Sequence, residues 1–218
     1  MKMMSGEEAL AQLRARDPLR DFHSRWDAVN ESDIHALRDA LDSAKREEDV
    51  QQFLQANPKY LIQHLGGGHG RWIIPKQRLG AQHVTDFMIG ERDSMGFRWQ
   101  AVELESPLAK MFTKSGNPTA QLTHAVRQIQ DWRMWLASNQ NYAARDRGEH
   151  GLGLTEIHPD VEGLIIMGRR GTESDDTRRL RRQMGRDAKI EIHTFDYLLE
   201  ALIGRVNSLK ARSEMTAR

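Results

Sequence analysis

Apolar positions recur along the chain with two different periods, and each change of period marks an element. Over 43–58, SAKREEDVQQFLQANP, Val50, Phe53 and Leu54 fall at helical spacing, and Asn57-Pro58 stops the run. KYLIQHL beyond it predicts another helical turn. Three strand patterns follow: RWIIPKQRL (71–79), HVTDFMIG (83–90) and FRWQAVELE (97–105), with ERDSMG suited to a hairpin turn between the last two. A loop, KMFTKSGNP, leads into TAQLTHAVRQIQDWRMWLASN. There Leu122, Ala125, Ile129, Trp132 and Leu136 recur at steps of three and four, the mark of an amphipathic helix. VEGLIIMGR reads as a buried strand, RRGTESDDTRRLRRQMGR as a polar helix or loop, KIEIHTF as a strand and DYLLEALIGRVNSL as a closing helix. The order is helix, antiparallel strands, helix, strand, helix, strand, helix. It predicts an α/β (α+β) architecture, a mixed central sheet flanked by helices.

The first 45 residues break this regularity. They are charged and rich in helix formers, with scattered apolar positions such as Leu10, Leu13, Phe22, Trp26, Leu37 and Leu41. They predict short helices, an N-terminal appendage over 1–42 preceding a main domain over 43–218. The glycine cluster GGGHG at 66–70 is a turn by this reading. No strand precedes it and no Gly-Lys-Ser/Thr follows, so it lacks the context of a phosphate-cradling loop.

Composition narrows the function classes only a little. The 218 residues suit one sizeable domain, and charged residues make up 29% with a net charge of +1, so any basic or acidic surface must be local. There is no cysteine, which removes disulfides and thiolate metal sites. No apolar run approaches the roughly 20 residues that span a bilayer. Glu7 and Glu8 stand where a signal peptide would need an apolar core. The expectation is a soluble, cytoplasmic protein with no membrane association.

The chemistry concentrates in FRWQAVELESP. Side chains alternate along a strand, so Trp99, Ala101, Glu103 and Glu105 share one face, with the two acids about 7 Å apart. Asp86, in the preceding strand pattern, comes beside them if the strands pair. Two like charges at about 7 Å repel by roughly 2.4 kcal/mol at an effective dielectric near 20. Such a group must be solvated, partly protonated or neutralised by a cation. A hard divalent ion such as Mg²⁺ or Mn²⁺ would neutralise it directly. Taken alone, the pair of glutamates is more simply a solvated sheet face.

The surrounding order changes that balance. An acid on one strand, Glu-x-Glu on the next and then a helix resembles the PD-(D/E)XK nuclease core. More narrowly, residues 47–202 resemble the nuclease domain of the Shedu anti-phage defence family, through EEDVQQFLQANP, TDF, AVELESP, MFTKSGNPTAQLTHAVRQIQDW, GLIIMGRR and IEIHTFDYLLEAL. The HAVRQIQDW helix after ELESP and FTKSG is the most specific piece.

The resemblance implies a restriction-endonuclease-like core and a metal-dependent DNA endonuclease. Asp86 and Glu103 would hold Mg²⁺ or Mn²⁺. Glu105 stands where the motif ordinarily has lysine; it would act as a further ligand or as a proton acceptor. Positive charge would then have to come from elsewhere, with Lys110 and Lys114 in the following loop as candidates. Gln128 and Glu47 would support the site, with Glu48 competing for the place of Glu47. Lys110, Lys114 and Arg127 would contact DNA phosphates. The arginines at 169, 170, 178, 179, 181, 182 and 186 are more simply a charged face turned to water, interrupted by Glu173, Asp175 and Asp176. His64, His83 and His124 lack metal-ligand spacing. The resemblance also implies a homo-oligomer. Two rivals remain: a catalytically inactive nucleic-acid-binding or oligomerising module on the same fold, which the missing lysine favours, and a small-molecule hydrolase, which the lack of a Gly-x-Ser-x-Gly motif disfavours.

Overall fold

A computed structural model describes residues 17–66, 70–172 and 174–216. Leu10 and Leu13 of the expected N-terminal helices, and most of the glycine cluster, lie outside the described residues. In chain order the elements are helices α1 (Glu31–Ser43) and α2 (Glu47–Ala56), then strands β1 (Gly70–Pro75), β2 (Arg78–Leu79), β3 (His83–Val84), β4 (Phe87–Asp93) and β5 (Gly96–Leu104). Helix α3 (Ala120–Ala144), strand β6 (Glu162–Ile166), helix α4 (Asp175–Ala188), strand β7 (Ile190–His193) and helix α5 (Asp196–Thr216) complete the fold. KYLIQHL supplies most of a short 3₁₀ turn, Pro58–Ile62.

The central sheet has five strands in the order β1-β4-β5-β6-β7. The first three are antiparallel, while β5, β6 and β7 run parallel, joined by crossovers through α3 and α4. This is the mixed sheet with flanking helices that the sequence pattern predicts.

The strict alternation of β4 and β5 sorts the residues into two layers. Met88, Trp99 and Ala101 join Leu122, Ala125, Ile129, Trp132 and Leu136 of α3 in one core. Phe87, Ile89, Val102 and Leu104 face Leu37 and Leu41 of α1, Val50 and Leu54 of α2, and Leu198 and Leu202 of α5 in the other. Helix α1 begins with a capping box: Asn30 accepts from Ser32 N–H at 2.8 Å and Asp33 accepts from Asn30 N–H at 2.8 Å. Helix α2 starts where Asp49 accepts from the backbone of Lys45 and Arg46, both at 3.0 Å. That cap fixes where Glu47, in the first turn, emerges.

Two of the three strand patterns are interrupted. RWIIPKQRL ends as a sheet strand at Pro75, and HVTDFMIG becomes two strands, β3 and β4, separated by Thr85 and Asp86. Asp86 therefore sits at the bend that opens β4, not within a strand. The cause is a small two-stranded arm, β2 with β3, that branches off the main sheet. Lys76 N–H bonds to Asp86 C=O at 2.8 Å and Thr85 N–H to Gln77 C=O at 2.9 Å, which closes the base of the arm. Among the described residues no helix is long and apolar enough to cross a membrane.

Candidate active site

At the C-terminal end of β5 the apolar face gives way to acids. Phe87 pairs with Val102, so Asp86, one residue further, stands at the level of Glu103. Glu103 pairs with Ile165 of β6 and keeps the face set by Trp99 and Ala101. Glu105 lies just past the strand, its N–H bonded to Ile166 C=O at 2.9 Å. Asp86, Glu103 and Glu105 are 7%, 7% and 6% exposed, which is rare for carboxylates unless they are paired or hold a cation.

Asp86 is the anchored member. Its Oδ2 accepts Leu104 N–H at 2.8 Å, and its Oδ1 accepts both Lys76 Nζ at 2.7 Å and the side-chain amide of Gln51 in α2. Oδ1 is thereby saturated and Oδ2 keeps one free lone pair. Glu47, one turn before Gln51, is half-buried beside the acids, whereas Glu48 points to water. The structure thus separates the two competitors.

The electrostatics follow from this crowding. Burial, and then the charges of Asp86, Glu105 and Glu47, push the Glu103 carboxyl up to about 9, against the pull of Lys76. Glu105 is pushed up to about 7 by burial and by Glu47 and Asp86. Glu47 is raised by burial and by Asp86 and Glu48. The carboxylates of Glu103, Glu105 and Glu47 accept no hydrogen bond from the described residues. The group is acceptor-rich and short of positive charge.

That donor chemistry fits a hard divalent cation, which takes oxygen ligands and would supply the missing charge. As the side chains stand, no three Asp, Glu or His residues among the described ones converge closely enough to hold an ion. A cation held by Glu103, Glu105 and the free lone pair of Asp86 therefore requires side-chain movement.

The remaining expected residues lie on other elements. Gln128 lies half-buried on α3, its Oε1 shielded from water and without a hydrogen-bond partner. On its stripe, Trp132 is buried and His124 exposed. Lys110 and Lys114 are exposed on the loop after β5, and among the described residues neither makes an ion pair with the three glutamates. Arg127 is exposed and pairs with Asp131 at 3.9 Å. His64 is half-buried, 3.3 Å from Gln100, whose side chain faces the opposite side of the sheet from Glu103. Arg169 and Arg170 tie the fold together through Asp42, Asp196 and Glu200, while Arg178, Arg179, Arg182 and Arg186 face water from α4.

Sequence reasoning missed Lys76 and Gln51. A signal for Lys76 was present: a lysine one residue after Pro75 and an aspartate one residue before Phe87 become opposite neighbours when β1 and β4 pair with Pro75 against Phe87.

The fold and the site together define a mixed α/β domain with a buried carboxylate cluster at the end of its central strand. Residues 44–199 match the family model described as Shedu protein SduA, C-terminal. The chain belongs to that family. A search of curated proteins finds no match.

Proposed function

We propose that the chain is a divalent-metal-dependent endonuclease that hydrolyses DNA phosphodiester bonds, working in anti-phage defence as membership of the Shedu family suggests. The single observation that carries the reading is the burial of Asp86, Glu103 and Glu105 together, with Glu103 held far above the ordinary carboxylate range. Burying three carboxylates opposes folding unless something compensates, and perturbed groups of this kind concentrate at functional sites. Glu103, Glu105 and Asp86 Oδ2 would hold Mg²⁺ or Mn²⁺, which when bound polarises the phosphate and lowers the pKa of a water.

The protein's own residues do the rest. Glu105, pushed up to about 7 while no cation is bound, completes the ligand set; where it stays off the ion it instead accepts a proton from the attacking water. Gln51 and the Leu104 N–H fix the Asp86 carboxylate. Gln128 offers an unpartnered Oε1 from α3, and Glu47 adds negative charge from α2. Lys110, Lys114 and Arg127 are exposed and would meet the DNA backbone, Arg127 by exchanging its pairing with Asp131 for a phosphate. Assembly as a homo-oligomer in the cytoplasm belongs to the same proposal.

The test is a panel of supercoiled, linear, single-stranded and RNA substrates with Mg²⁺ or Mn²⁺, comparing wild type with Asp86→Ala and Glu103→Ala. The expected result is DNA cleavage by wild type alone, with all three proteins folded by circular dichroism. Equal cleavage by the variants refutes the site. The second reading, an inactive nucleic-acid-binding module, is favoured by the carboxylates that do not converge on one point and by Glu105 in the place of lysine. DNA binding by wild type without cleavage or Mn²⁺ binding would establish it.

A further inference from the structure

The acid cluster contains one ammonium group, and its placement is unusual. Lys76 follows β1 directly, with a backbone φ of +48°, in the left-handed region where glycine or asparagine is at ease and other side chains are strained. Its N–H bond to Asp86 C=O locks that conformation, and its Nζ then lies 2.7 Å from Asp86 Oδ1. Glycine or asparagine would relieve the backbone but would remove the charge.

Three further observations bear on its role. Among the described residues Lys76 is the basic residue whose charge pulls on Glu103, and it acts on Glu47 as well. Its side chain is 45% exposed, although the carboxylate it grips is almost wholly buried, so it bridges the cluster and solvent. An ammonium has three N–H donors; one is given to Asp86, and the described residues take up neither of the others. A cation anchored at its base, with two donors turned outward beside a buried acidic cluster, is built to meet an anionic oxygen arriving from solvent.

The geometry points to Lys76 as the catalytic cation of this site: its ammonium contacts a non-bridging oxygen of the scissile phosphate and stabilises the negative charge that develops there. This role rests on the nuclease reading above. It accounts for a site that has glutamate at position 105, where the motif ordinarily has lysine.

The experiment compares wild type, Lys76→Met and Lys76→Arg, each checked for folding by circular dichroism. Three readouts are taken: cleavage with saturating Mn²⁺, Mn²⁺ affinity by calorimetry, and the salt dependence of binding to a 30-base-pair duplex in EDTA. Lys76→Met is expected to lower kcat by about 100-fold, as loss of one preorganised donor does, with KM changed far less. Lys76→Arg restores part of that loss, and in Lys76→Met the Mn²⁺ affinity is kept or improved because a competing cation has gone. The slope of log affinity against log salt should shrink by about one phosphate contact in Lys76→Met.

An unchanged slope overturns the assignment, as does loss of Mn²⁺ binding together with cleavage, since Lys76 would then only be holding Asp86 in place. If wild type cleaves and Lys76→Met cleaves equally, the role of Lys76 fails and the nuclease reading stands. If wild type neither cleaves nor binds the duplex, both fail.

Discussion

Glu103 gives the most direct physical test, because its effect is visible without any substrate. Its carboxyl rises from an ordinary 4.5 to about 9 on folding. Between those values the folded chain binds a proton that the unfolded chain does not, so stability falls as pH rises through this window. Below 4.5 both states are protonated and nothing is lost. At pH 7, about 2.5 pH units above the ordinary value, the penalty at about 1.36 kcal/mol per unit is on the order of 3 kcal/mol. At pH 5 it is under about 1 kcal/mol. Glu103→Gln keeps the shape and removes the titration. The buried amide has hydrogen-bonding needs of its own, but these do not vary with pH, so the readout is how the difference between the two proteins changes with pH. From pH 5 to pH 7 the variant should gain on wild type by about 2–3 kcal/mol in metal-free buffer. For a chain of this size that is about 4–12 °C in melting temperature, measured by thermal denaturation in EDTA. Stability curves for the two proteins that run parallel from pH 5 to pH 8 would refute the account of a proton-bearing, repelled Glu103.

Two other outcomes follow from the same structure. Mn²⁺ must displace the Glu103 proton, so its affinity should tighten by up to about tenfold per pH unit between pH 7 and 8, with proton release seen by calorimetry in buffers of different ionisation enthalpy; a pH-independent affinity would place the ion elsewhere. Trp132, 1% exposed in the core beneath α3, should cost about 3–5 kcal/mol of stability when replaced by alanine, and a loss below about 1 kcal/mol in urea denaturation would contradict its central packing.

What the sequence shows of this fold depends on how local each signal is. The alternation Trp99, Ala101, Glu103 survives in β5 because a strand paired on both sides cannot slip by one residue without turning its apolar set outward. The stripe Leu122, Ala125, Ile129, Trp132, Leu136 is buried as its spacing predicts, though the helix runs on to Ala144 through a break at Asn139. The two-residue strands β2 and β3 are too short to show any period, so the arm they form was invisible, and with it the bend that carries Asp86. Gln51 reaches Asp86 from 35 residues away, a contact that only the packing of α2 on the sheet decides. Lys76 lies between these cases: its partner is ten residues distant, but the pairing that joins them is long enough to read.

The carboxylate cluster also distinguishes an active site from an inert relic on the same fold. In the absence of a cation Glu103 carries a proton at neutral pH, and among the described residues Lys76 offsets the charge around it. A chain that never binds an ion therefore bears the cost of this arrangement at neutral pH. Replacing Glu103 by a neutral residue of the same shape would remove that pH-dependent cost with nothing lost to an ion that is never bound. A chain that binds Mg²⁺ or Mn²⁺ regains that free energy on loading, because the ion stabilises the folded state in proportion to its affinity and concentration. Stabilisation of wild type by Mn²⁺ that vanishes in Glu103→Gln would be hard to reconcile with a relic. A wild type indifferent to Mn²⁺ would leave the cluster as a cost with no return, and would favour the binding module.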